Sequence, residues 1–159
     1  MSIQEGRPVV EDHPLKVRSA DVAREAQPRQ PHDGRPGWID MDVRWLATRE
    51  TVGAQHGVLG VTCFPPGARH EVHRHENCEE VEYLVSGEGV ARVGDADVLM
   101  RAGDAVFVPR NAYHGFRNTS DTETAVMVWS YAGAASLAEA GYVTEAEDRA
   151  AADARPGAA

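Results

Sequence analysis

Residues 70–89, HEVHRHENCEEVEYLVSGEG, run histidines and glutamates straight into an apolar alternation. Side chains of this polar kind normally stay on a surface, whereas VEYLVSG reads as a strand that buries one side. In an extended strand, residues two apart point to the same face, so His73 and His75 project together. A short turn through ENCEE lets Glu80 return beside them on the next strand. Two imidazoles and one carboxylate can grip a divalent ion while leaving positions open, as mononuclear iron and catalytic zinc sites require. A further ligand is expected from a strand crossing the same region. His114 is the only histidine in the later strands.

Short strands continue on both sides of this segment. IDMDVRW alternates strictly, with Ile39, Met41, Val43 and Trp45 on one face, and reads as one half-buried strand. VLGVTCF from Val58, GVARVG from Gly89, DVLMR from Asp97, DAVFVP from Asp104, HGFRN from His114 and ETAVMVWSY from Glu123 follow the same pattern. Turn formers separate them in PPGA, SGEG, VGDAD, RAGD, PRNA and NTSD. Many short strands with no helix between them mean an antiparallel sandwich or small barrel.

The ends differ. Residues 1–37 are rich in Pro, Arg and acidic residues without apolar period and are expected to form an extended arm. Residues 132–159 turn helical: Ser136 precedes Glu139 and Thr144 precedes Glu147 at capping-box spacing, with fraying expected beyond Arg149. The barrel itself is expected to span residues 38–131 of the 159-residue chain.

A net charge of −9 disfavours nucleic acid and anionic membranes as partners, since phosphates would be repelled. No apolar run approaches a membrane span, and MSIQEGRPVV lacks the basic and apolar regions of a signal peptide. Cys63 and Cys78 are too few for a disulfide scaffold, and a cytoplasmic, reduced chain is expected.

Two spaced motifs give the chain a resemblance to the cupins. Gly67, His73, His75, Glu80 and Gly87 match the first cupin motif, G-x5-H-x-H-x(3,4)-E-x6-G. Gly103, Pro109, His114 and Asn118 match the second, G-x5-P-x-G-x2-H-x3-N, with Asn111 where the family usually carries glycine. Asn tolerates positive φ better than most residues, so the departure is mild. The resemblance implies an all-β, antiparallel jelly-roll barrel. It also implies one divalent metal ion per chain on His73, His75, Glu80 and His114, with Fe(II) favoured and Zn, Mn or Ni as options.

If Glu80 points into the barrel, Glu82 and Leu84 do too. A second carboxylate in a mostly apolar cavity would have a raised pKa and suit general acid or base work. Phe116 shares a face with His114 and is expected in the cavity wall. Met127, Trp129 and Tyr131 share a face of the last strand, as core or subunit contact or as substrate wall. His70 is opposite in parity to the ligand pair and is expected at the rim or surface, and Cys78 as an exposed loop thiol. Glu79 and Tyr113 are expected to point away from the cavity.

Function is expected along three lines. The first is an Fe(II) oxygenase acting on a small, hydrophobic or aromatic molecule. The second is a redox-neutral cyclase or isomerase of polyketide-cyclase type using Zn or another divalent ion, with Glu82 as base. The third is a non-catalytic ligand-binding cupin. Val81, Tyr83 and Val85 form an apolar stripe on the outer face of their strand, from which a homodimer is expected.

Overall fold

The computed structural model describes residues 11–24, 38–39 and 41–154. Most of the expected arm therefore lies outside the described residues. Its described part is largely exposed, and Arg24 ties it to the barrel by donating to the carbonyl of Met41 at 2.6 Å.

Twelve strands are described: β1 (Trp38–Ile39), β2 (Asp42–Ala47), β3 (Gly57–Phe64), β4 (Arg69–His70), β5 (His73–Arg74), β6 (Glu79–Ser86), β7 (Glu88–Val93), β8 (Ala96–Arg101), β9 (Ala105–Val108), β10 (His114–Asn118), β11 (Ala125–Ala132) and β12 (Val143–Thr144). Three short helices join them: α1 (Arg49–Val52), α2 (Leu137–Ala140) and α3 (Glu145–Asp153). One sheet runs β1-β4-β10-β5-β12, with β7 on the other side of β10 and β8 beyond it; the second runs β2-β3-β11-β6-β9. All pairings are antiparallel, and the two sheets form the expected jelly roll. Among the described residues no helix is long and apolar enough to cross a membrane.

Alternation decides what each strand buries. On β6, Glu80, Glu82 and Leu84 are buried while Glu79, Val81, Tyr83 and Val85 are exposed. On β11, Met127, Trp129 and Tyr131 face inward. The sheets meet through contacts such as Phe64 on Phe116, ring centres 4.8 Å apart, and through Leu84, Met100 and Met127, which are almost fully buried. Each such side chain contributes about 1.5–3 kcal/mol on burial. Asn118 closes one end by donating to the carbonyls of Phe64, Pro65 and Glu123.

Three local expectations change. IDMDVRW is two strands in different sheets, β1 and β2, because the chain crosses from one sheet to the other near Met41. The run from His70 to His75 is also broken, and the register shows how. Arg69 pairs with Arg117 and His73 with His114, so four steps on one strand oppose three on the other. That extra residue is a β-bulge, and it reverses side-chain parity between His70 and His73. Gly115 accommodates it: a Cβ there would lie 3.0 Å from the Glu71 carbonyl oxygen and 3.1 Å from that of His70. Finally, α3 continues past Arg149 to Asp153, capped by Thr144 and Glu147 as expected and held by Asp148 on Arg74.

Candidate metal centre

The bulge and the second sheet bring four ligand-type side chains to one point. His73 lies on β5, His75 just after it, Glu80 on β6 and His114 at the start of β10. All four are buried, and one ligand atom from each lies within 4.8 Å of the others. Asn111 has φ +65°, the left-handed conformation that the turn before His114 demands. Its side chain accepts from Arg74 at 2.9 Å, which ties this turn to β5.

Backbone carbonyls set the tautomers. Nδ1 of His73 faces the Glu71 oxygen at 2.9 Å, Nδ1 of His75 the Gly141 oxygen at 2.5 Å, and Nδ1 of His114 the Ala112 oxygen at 3.0 Å. A carbonyl only accepts, so each Nδ1 carries the proton and each Nε2 turns to the centre, the usual arrangement behind metal-binding imidazoles. His75 Nε2 is buried, faces Glu80 Oε2 at 3.3 Å and makes no well-aligned hydrogen bond. An inward lone pair of this kind, in a set of three nitrogens and one carboxylate, fits a divalent ion.

The charges agree with that fit. Burial alone would raise Glu80, yet His114, 2.8 Å away, and His75 hold it down at about 2. Burial opposes charge on His114, but Glu80 outweighs it and raises the imidazole to about 9. Burial and the neighbouring His114 push His73 well below its ordinary value. The pocket thus calls for one positive centre beside Glu80. A divalent ion held by these four residues would supply it in place of the His114 proton.

Beside the ligands lies a cavity of about 30 Å³, walled by Trp45, Phe64, Phe116, Met127, Trp129 and Tyr142. Trp129 is fixed by its Nε1–H, which donates to Thr62 at 2.9 Å, and Trp45 packs edge-on to it at 4.7 Å. Glu82 also lines the cavity, is 4% exposed, and its Oε2 is buried without a partner. Burial, then the nearby Glu80 carboxylate, raises its carboxyl to about 7. Phe116, Met127 and Trp129 stand in the wall; Leu84 lies in the hydrophobic core instead of lining the cavity. Tyr113 turns away to donate to Asp148 at 2.5 Å, and Glu79 is exposed.

His70 and Cys78 depart from expectation. His70 lines the cavity, because the bulge gives it the same inward parity as His73, and burial takes it down to about 3. Cys78 is 1% exposed, and burial pushes its thiol up to about 12, so it is a core residue. Tyr142 had no signal at all. It stacks on His73 with ring centres 4.5 Å apart, donates to Glu71 at 2.9 Å and lies 3.0 Å from His70 Nε2. Together with the Gly141 carbonyl on His75, it makes the segment after α2 part of the site. A lone tyrosine beyond the last long strand carries no periodicity that could have revealed this.

A family model described as a cupin domain matches residues 60–131. The polyketide synthase CurC of Streptomyces cyaneus is 33% identical over 133 residues, covering 83% of this chain and 80% of that one. This chain belongs to the cupin family. Protein SchB of Streptomyces halstedii is 38% identical over 82 residues, 52% of this cupin and 59% of SchB, so the match spans about three-fifths of that relative. Among solved structures, the polyketide cyclase RemF from Streptomyces resistomycificus shares the fold, with a TM-score of 0.64 at 23% identity over 82% of this cupin and 84% of RemF. The match to the family model ends at Tyr131, so Gly141 and Tyr142 lie beyond it.

Proposed function

We propose that this cupin catalyses a redox-neutral cyclisation of a polyketide-type substrate, with a divalent ion on His73, His75, Glu80 and His114. The observation that carries this reading is Glu82, a buried carboxylate with an unpartnered oxygen in the wall beside the ligands. The likeness to CurC and the fold shared with RemF support it. When bound, the ion supplies Lewis acidity that polarises a ketone. Glu82 Oε2 takes a proton from the carbon next to that ketone. The freed electron pair forms a carbon–carbon bond at a second carbonyl of the same chain; its C=O π pair moves to oxygen, which takes the proton back from Glu82, and the resulting alcohol leaves as water. The aromatic walls exclude water and hold the chain flat beside Glu82. A polycyclic product exceeds the cavity's free space of about 30 Å³, so the half-buried Trp45 and Leu137 walls must move to admit it.

The same four ligands would serve an Fe(II) oxygenase on a small aromatic molecule. That chemistry does not itself require the unpartnered carboxylate of Glu82, which supports cyclisation as the first reading. The test is incubation of the metal-loaded protein with a poly-β-ketone in an oxygen-electrode cell, with products read by mass spectrometry. Cyclised product formed by loss of water alone, without dioxygen uptake, is the expected result. Product carrying added oxygen returns the assignment to an oxygenase, and no turnover leaves a ligand-binding cupin.

A further inference from the structure

Four arginines, Arg69, Arg92, Arg117 and Arg149, converge on a groove of about 390 Å³, separate from the metal cavity. The groove lies on the outer face of β4, β10 and β7. His114 and Phe116 point inward on β10, so Arg117 points outward; Arg69 is its cross-strand partner on β4. Arg92 on β7 stands opposite Gly115, and both line the groove. The first turn of α3 and Arg149 close the far side.

Like charges directly opposite on neighbouring strands are destabilising, and this chain carries a net charge of −9, so its cations are the scarcer sign. The local acids do not relieve the pair. Arg117 reaches Asp97 at 3.3 Å with both side chains about half exposed, where ion pairing counts for little. Arg92 meets Asp95 and Glu145 only at 3.9 Å. Glu145 is shared with Arg149 at 3.3 Å, and Glu71 accepts from Tyr142. The Arg69 side chain makes no hydrogen bond or ion pair among the described residues. Arg69 and Arg117 are backbone partners that both line this groove, and once Arg117 leaves its exposed Asp97 partner the two guanidiniums suit an oxyanion, which each can bind through paired N–H donors.

We propose that this groove is a binding site for a small ligand bearing a doubly charged oxyanion, phosphoryl or dicarboxylate, clamped between Arg69 and Arg117. Arg92 and Arg149 supply further positive charge at the rim. His70 and Phe116 border both this groove and the metal cavity, so the two sites share a wall.

Calorimetric titration of the metal-loaded protein with inorganic phosphate, and separately with succinate, tests the site at low salt. One anion per chain should bind with a Kd of about 1 mM or tighter. Binding should weaken at least about tenfold in both Arg69→Gln and Arg117→Gln and fall steeply as salt is added. Arg101→Gln, outside the groove, should leave it unchanged. Tighter phosphate assigns the phosphoryl class, and tighter succinate the dicarboxylate class. A second readout needs no ligand: each groove variant should raise Tm by about 1–3 °C as the like-charge pair is relieved, where a merely structural arginine would lower it. Absence of binding by both anions to about 20 mM, or equal affinity in both variants, overturns the proposal.

Discussion

Replacing Glu82 with leucine should make the protein more stable while abolishing turnover. The side chain is 4% exposed, sits among Trp45, Phe116 and Trp129, and has an oxygen with no hydrogen-bond partner. An unsatisfied buried polar group costs about 1–3 kcal/mol, more when charged. Leucine removes that cost at similar volume and adds apolar contact to the wall. A gain of about 1–3 kcal/mol follows, or roughly 2–10 °C in Tm for a chain of this size. Guanidinium unfolding of chelator-treated protein, followed by tryptophan fluorescence, measures it without a contribution from bound ion. The midpoint should rise with an unchanged slope. Glu79→Leu, on the exposed face of the same strand, should stay within about 0.5 kcal/mol and serves as control. Turnover in Glu82→Leu, and in the shape-preserving Glu82→Gln, should fall on the order of a hundredfold or more. A loss of about 1 kcal/mol or more in Glu82→Leu would refute the reasoning, because it would mean that the carboxylate is satisfied in solution.

Elemental analysis should find about one divalent ion per chain, and His75→Ala or His114→Ala should empty the site; full occupancy in both variants would remove the ligand assignment. Asp148 docks α3 by accepting from Arg74 at 2.7 Å and from Tyr113 at 2.5 Å, and those two partners hold its carboxyl below the ordinary aspartate value of 3.8. Its contribution is therefore present above that value and lost as pH falls through the lower folded one. Asp148→Asn should cost about 1 kcal/mol at neutral pH, discounted because the Asp148 side chain is 34% exposed, and the difference from wild type should close below about pH 4 in urea titrations. Val81, Tyr83, Val85 and Phe107 form an outer apolar face exposed by 43%, 45%, 49% and 53%. Light scattering at micromolar concentration should report a homodimer through that face, with Tyr83→Asp shifting it to monomer; a monomeric wild type refutes the assignment.

The cluster of His73, His75, Glu80 and His114 was legible in the sequence because much of its geometry is local. Period-two alternation puts His73 and His75 on one face and carries Glu80, Glu82 and Leu84 to the core along β6, a strand without interruption between them. The turns were legible for the same reason, since Asn111 announces a positive φ that few other side chains tolerate. His70 was not legible. Its direction depends on a bulge defined by two pairings with β10, a strand more than forty residues away, and alternation counted along one strand cannot register an extra residue that only the partner reveals. Depth was decided in the same way: Cys78 looks like a loop thiol, but the loop is covered, and Leu84 shares the face of Glu82 but sits one layer further into the core. Tyr142 and the Gly141 carbonyl reach the ligands from a segment that folds back over the site, more than sixty residues away in sequence. The Arg69–Arg117 groove likewise exists only where two strands are paired. Local chemistry named the candidate ligands, and the packing of distant segments decided what surrounds them.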